Sequence, residues 1–138
     1  MRLRIILVFA MLATLLSPLS CITLRRANIE ISCEQFNENH HPRSELHTAV
    51  GDTIAVKLCS NPTTGFQWQY ETSGGNVLKE EDHDFEQPED DVPGAASKEV
   101  WIFRAVEKGT TEVYMTYSQP WDGGEKAEWT FTMTVTVE

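Results

Sequence analysis

From Thr130 to Val137 the chain alternates without a break: Thr130, Thr132, Thr134 and Thr136 are separated by Phe131, Met133, Val135 and Val137. A period of two puts the apolar set on one face and the hydroxyls on the other, the pattern of a strand half-buried against a second layer. Such a strand needs partners, and earlier segments supply them. After the turn signal Gly51-Asp52, residues Thr53 to Leu58 set Ile54, Val56 and Leu58 on one face. Phe66, Trp68 and Tyr70 share a face, with Gln67 and Gln69 opposite. Val100 to Val106 reads as a strand burying Trp101 and Phe103; Lys108-Gly109 turns the chain, and Thr111 to Tyr117 points Val113, Met115 and Tyr117 inward. No segment shows helical periodicity of comparable quality. Short strands punctuated by turns predict an all-β fold, an immunoglobulin-like antiparallel β-sandwich of six to eight short strands, over residues 45–138. The cysteine pair that brackets a core tryptophan in antibody domains is missing, so the pattern supports the architecture alone.

The N-terminus has a different character. Arg2 and Arg4 precede an apolar stretch from Ile5 to Leu16, followed by Ser17, Pro18 and Ser20. The stretch is shorter than the roughly 20 apolar residues of a membrane span, and its flanks predict a signal peptide over residues 1–20. Cys21, directly after Ser20, fits a lipidation site, although Pro18 stands where a lipoprotein signal usually has leucine; an ordinary secretory signal is the other reading. Either way the protein is expected to be exported, lipid-anchored at the cell envelope or secreted, with a lipid anchor as its only contact with membrane. Residues 21–44 are polar and patternless and read as a tether or N-terminal arm, with room for one short strand near Ile29 to Cys33. Export permits a disulfide between Cys33 and Cys59; two free, buried thiols are the alternative.

Charge and the polar residues exclude several functions. With 11 basic and 21 acidic residues the net charge is −10, and loss of Arg2 and Arg4 with the leader takes it to −12. Nucleic-acid binding, which starts from a basic patch, is disfavoured. The densest acidic segment, Lys79 to Ala96, reads as a long solvated loop. His40, His41, His47 and His83 are scattered, no CxxC pair exists, and no metal site or cofactor is expected. Cys59 with His47 is the one thiol-catalyst pairing on paper, but Cys59 ends a strand beside a rigid loop, so it is read as structural and the chain as no enzyme. A monomer is expected.

Three loops carry residues that folding alone explains poorly. In Asn61-Pro62-Thr63-Thr64-Gly65-Phe66, Pro62 has its φ fixed and pushes Asn61 toward an extended conformation, while Gly65 is free to adopt a φ costly to other residues. The product is a stiff, uncharged protrusion, which loses little entropy on docking. Gln119-Pro120-Trp121, followed by Asp122-Gly123-Gly124, puts a tryptophan at a hairpin tip, the residue type of binding hot spots. The alternative is that Trp121 folds back over the end of the sandwich. Pro93-Gly94-Ala95-Ala96 is a run of small residues that lets backbone approach a partner closely.

In this order and on these strands, the three segments resemble the chagasin family of cysteine-protease inhibitors. Asn61 to Phe66, followed by Trp68, is similar to the family's first binding loop, Pro120-Trp121 to its third, and Gly94-Ala95 falls at its glycine-rich second. The resemblance implies a reversible, non-covalent inhibitor whose loops, at one end of the sandwich, enter the cleft of papain-like cysteine proteases. It implies protease-binding roles for Asn61, Pro62, Thr63, Thr64, Gly65, Phe66, Pro93, Gly94, Ala95, Ala96, Gln119, Pro120 and Trp121. Two departures stand out: Gln119 replaces the usual arginine of an Arg-Pro-Trp motif, and Ala96 and Ser97 replace glycines. A non-inhibitory surface-exposed binding or adhesion lipoprotein would explain the export signal and the acidity equally well, but not these loops.

Overall fold

The computed structural model describes residues 23–88 and 95–138. The expected signal peptide, Cys21, Pro93 and Gly94 lie outside them. Among the described residues eight strands form two four-stranded sheets. They are β1 (Arg26–Ile31), β2 (Arg43–Thr48), β3 (Thr53–Ser60), β4 (Gln67–Thr72), β5 (Leu78–Glu86), β6 (Ser97–Ala105), β7 (Gly109–Ser118) and β8 (Trp129–Val137), with one short helix, α1 (Cys33–Glu38). The first sheet has the order β1-β3-β6-β5 and the second β2-β8-β7-β4. The alternating residues meet between them: Ile54, Val56, Leu58, Trp101 and Phe103 on one side, Val113, Met115, Phe131, Met133 and Val135 on the other, all essentially inaccessible to water.

Residues 26–44 do more than tether. β1 pairs in parallel with β3, from Arg26 opposite Thr53 to Ile31 opposite Leu58, and β2 pairs in parallel with β8, from Arg43 opposite Thr132 to Thr48 opposite Val137. The sandwich therefore carries two parallel pairings beside its antiparallel ones. Between these strands α1 crosses one end of the molecule. Its start is a capping box: the Gln35 N–H donates to Ser32 Oγ at 3.2 Å, and the Ser32 N–H donates to Gln35 Oε1 at 2.8 Å. Phe36 is fully buried, stacked on Trp129 at 4.9 Å and tilted against Trp68 at 5.3 Å. A disulfide joins Cys33 to Cys59, fixing the helix to the end of β3.

The acidic stretch also departs from expectation. Lys79 to Glu86 belongs to β5, an exposed edge strand paired antiparallel with β6 and irregular between Glu80 and Asp82. All its residues but Leu78 are exposed, so it shows no apolar alternation to read. Charge on an edge strand blocks pairing with a second chain. Neighbouring cations offset part of that charge: Arg104 forks onto Glu81 and Lys57 meets Glu86.

At the far end from α1, Asp52 gathers three segments. Its Oδ1 accepts the Arg25 N–H at 2.8 Å, its Oδ2 accepts the Ala49 N–H at 3.1 Å and the Thr48 hydroxyl at 3.0 Å, and its backbone C=O accepts the Ala105 N–H at 2.9 Å. The Arg25 and Ala49 N–H groups hold its carboxyl below the usual aspartate range.

Two stability predictions follow from these ties. The disulfide closes a loop spanning 26 positions, so Cys33→Ser with Cys59→Ser is expected to cost ~3–4 kcal/mol in chemical denaturation, by the loop-closure estimate. Asp52→Asn is expected to lower the melting temperature at neutral pH. Because the native carboxyl is depressed, its contribution is present above the unfolded-state pKa of about 3.9 and is lost as pH falls through the lower native value. The difference in melting temperature between wild type and Asp52→Asn should therefore shrink with acidification below about pH 4.

Candidate functional site

Strand registers bring three connections to one end. Ser60 lies opposite Ser97 and Glu86 opposite Lys98, while Gln67 pairs with Ser118 and Tyr117 with Trp129. The turn 61–66, the residues 95–96 leading into β6 and the hairpin connection 119–128 therefore share that end with α1.

The first turn is held from within. Pro62–Thr64 form one 3-10 turn, with Pro62 at its first position and Asn61 capping it. Asn61 Oδ1 accepts the Thr63 N–H at 3.3 Å and the Thr63 hydroxyl at 2.6 Å. The Thr64 hydroxyl donates to the Asn61 carbonyl at 2.7 Å. Gly65 ends the turn at φ 79°, a left-handed conformation, and donates its N–H to the Pro62 carbonyl at 3.2 Å. Pro62, Thr63 and Thr64 are exposed at the crest. Phe66 turns inward and stacks on Tyr117 at 5.1 Å, so it forms the floor of the turn.

Trp121 is neither in the core nor free-standing. It is 50% exposed, and its six-membered ring lies on Gly65: a Cβ placed on that glycine would come within 2.4 Å of Trp121 Cη2. Gln119 Nε2 donates to the Thr64 carbonyl at 3.3 Å, while Gln119 Oε1 accepts the Glu125 N–H at 3.0 Å. Lys126 Nζ bridges the Gln119 and Trp121 carbonyls, the latter at 3.0 Å. Pro120 is exposed between the two. Ala95 and Ala96 are also exposed, whereas the Ser97 side chain faces inward and its hydroxyl donates to the Ser60 carbonyl at 3.0 Å.

Below the crest lie residues that the linear sequence did not single out. The Asn61 N–H donates to Tyr117 Oη at 2.8 Å. Glu99, only 3% exposed, accepts the Ser60 hydroxyl at 3.4 Å and pairs with His83 Nε2 at 2.8 Å. One carboxylate thus ties the first root of the turn to β5. Burial pushes its pKa up, against the pull of the His83 ring, the Ser60 hydroxyl and the Trp68 N–H. His83 is stacked on Trp101 at 4.6 Å. A signal for Glu99 did exist: it shares the parity of Trp101 and Phe103, which places an acid on the inward face. Tyr117 carried its signal in the same way, as the last inward residue of β7.

Among the described residues no exposed nucleophile stands beside a base at these loops. Cys59 is bonded to Cys33, and His47 lies near the other end of the sandwich, opposite Thr136 and beside Glu138 at 3.8 Å. Among the described residues no group of three or more His, Cys, Asp or Glu is placed to hold a metal ion. The arrangement offers a preorganised, largely uncharged contact surface of backbone, hydroxyls and one indole.

Comparison with known proteins agrees with this architecture. Residues 47–135 match the family described as Chagasin family peptidase inhibitor I42. The chain is 31% identical to chagasin of Trypanosoma cruzi over 97 residues, 67% of this chain and 88% of the relative. It is 28% identical to amoebiasin-2 of Entamoeba histolytica over 98 residues, 67% of this chain and 76% of that protein. The crystal structure of the cysteine protease inhibitor EhICP2 from Entamoeba histolytica superposes with a TM-score of 0.69 at 20% identity, covering 83% of this chain and 97% of the other, which establishes the shared fold. With residues 47–135 matching that family and 31% identity to chagasin over 88% of its length, the chain belongs to the chagasin family of peptidase inhibitors.

Proposed function

We propose that the protein is a reversible, non-covalent inhibitor of papain-like cysteine proteases that fills the active-site cleft with the loop end of the sandwich. The observation that carries this reading is the packing of Trp121 on Gly65, which makes the first and third loops one surface before any partner arrives. Pro62, Thr63 and Thr64 form its crest and enter the cleft. Trp121 is the aromatic anchor, and Ala95 and Ala96 flank the crest; Pro93 and Gly94, outside the described residues, are assigned to the same contact by the resemblance alone. Inhibition works by occlusion, since a turn bonded to itself at Asn61, Thr63 and Thr64 resists the extended conformation a protease needs for cleavage. One monomer blocks one enzyme.

The protein is exported in this reading, secreted or anchored through a lipid on Cys21. Support comes from the sequence: Arg2 and Arg4, the apolar stretch from Ile5 to Leu16, and Ser20 before Cys21. Mass spectrometry of the mature N-terminus tests it.

Titration against papain is expected to abolish activity at one equivalent, with activity recovered on dilution; no effect at micromolar protein on several papain-like enzymes would overturn the proposal. Trp121→Ala is expected to weaken inhibition by roughly 30-fold, the scale of a binding hot spot, with little change in melting temperature. Gly65→Ala should weaken it as well, because a Cβ there displaces the indole and a left-handed φ strains alanine.

A further inference from the structure

Resting on that inhibitory reading, we infer that Gln119 is a positioning residue: it clamps the first loop to the third and so sets the orientation of Trp121. Gln119 stands where the resemblance puts an arginine. Within its own hairpin, Gln119 is fixed twice, by its N–H donating to the Glu125 carbonyl at 2.8 Å and by its Oε1 accepting the Glu125 N–H at 3.0 Å. Only Nε2 is left to reach outward, and it donates to the Thr64 carbonyl in the other loop.

Two residues further on, Trp121 covers Gly65, the residue next to Thr64. Gln119 and Trp121 therefore grip consecutive residues of the first loop, with the rigid Pro120 between them. Gly124 completes the device, because a Cβ there would lie 2.7 Å from the Gln119 Cβ and 3.1 Å from Trp121 Nε1. The indole itself is half-exposed and has no core packing to hold it. Its direction depends on the amide bridge and on the carbonyls held by Lys126. Without the bridge, the competent arrangement becomes one of several, and apparent affinity falls by the fraction lost.

The substitutions separate the two halves of the amide. Gln119→Glu keeps an acceptor for the Glu125 N–H but has no donor for the Thr64 carbonyl; Gln119→Met removes both at similar size; Gln119→Arg keeps a donor for the Thr64 carbonyl and loses the acceptor for the Glu125 N–H. In the free protein, the Trp121 indole {1H}-15N heteronuclear NOE is expected to fall in the Glu and Met variants and to stay near wild type in the Arg variant. Against papain, the Glu and Met variants should inhibit about 10-fold more weakly, chiefly through slower association, as expected when the competent state is less populated. In a double-mutant cycle, Gln119→Met added to Trp121→Ala should cost nothing further, since its effect passes through the indole. An unchanged indole NOE in both the Glu and Met variants overturns the clamp, and so does full additivity with Trp121→Ala, which would mean that Gln119 touches the enzyme itself. The NOE is read without a protease, so it tests the clamp even if the wild-type protein proves not to inhibit.

Discussion

Tyr117 is the contact on which the loop end depends. Its ring lies 5.0 Å from Trp68, 5.1 Å from Trp129 and 5.1 Å from Phe66, and its hydroxyl accepts the Asn61 N–H. Phe36 closes the same cluster from α1. Five aromatic rings from four parts of the chain thus form a floor, and the first turn is hydrogen-bonded to that floor through a single phenol. Aromatic pairs at such spacings contribute roughly 0.5–1.5 kcal/mol each beyond their buried area. The cluster is also directional in a way that aliphatic packing is not, because a tyrosine buried at its ring still offers a hydroxyl to the surface.

The second support is polar and costs more to maintain. Glu99 is taken out of water and compensated by a histidine, a hydroxyl and a backbone N–H. A buried carboxylate contributes little net stability, and removing one of its partners is costly. Its value here is geometric: it ties Ser60, at the first root of the turn, to His83 of β5. The turn is therefore supported from beneath by an aromatic floor and at one root by a carboxylate, while its crest is left to hydroxyls and backbone.

Much of this was legible in one dimension, and what was not has a physical reason. β3, β6, β7 and β8 bury one face, so their alternation is explicit in Ile54 to Leu58, Trp101 with Phe103, Val113 to Tyr117, and Phe131 to Val137. β5 buries no face and shows only charge, which reads as loop. α1 is six residues long, too short for a periodicity, although Ser32 and Gln35 had the spacing of a capping box. β1 and the start of β2 read as an arm with room for one short strand near Ile29 to Cys33, because edge strands with parallel partners need no hairpin turn to announce them. Pro62 and Gly65 were readable as backbone restraints, since their effects are local. The contacts of Gln119 with Thr64 and of His83 with Glu99 join residues that only the folded topology brings together.

The parallel pairing of β2 with β8 has a consequence for how the chain is made. Arg43 to Thr48 precede their sheet partners, Thr132 to Val137, by 89 positions. A ribosome releases β2 long before β8 exists. Until then the second sheet lacks β8, one of its two central strands and the carrier of Trp129. Contacts so far apart in sequence are slow to form, and here they cannot begin to form until β8 has been made. The second sheet, and the loop end that rests on it, therefore take shape only once β8 is available.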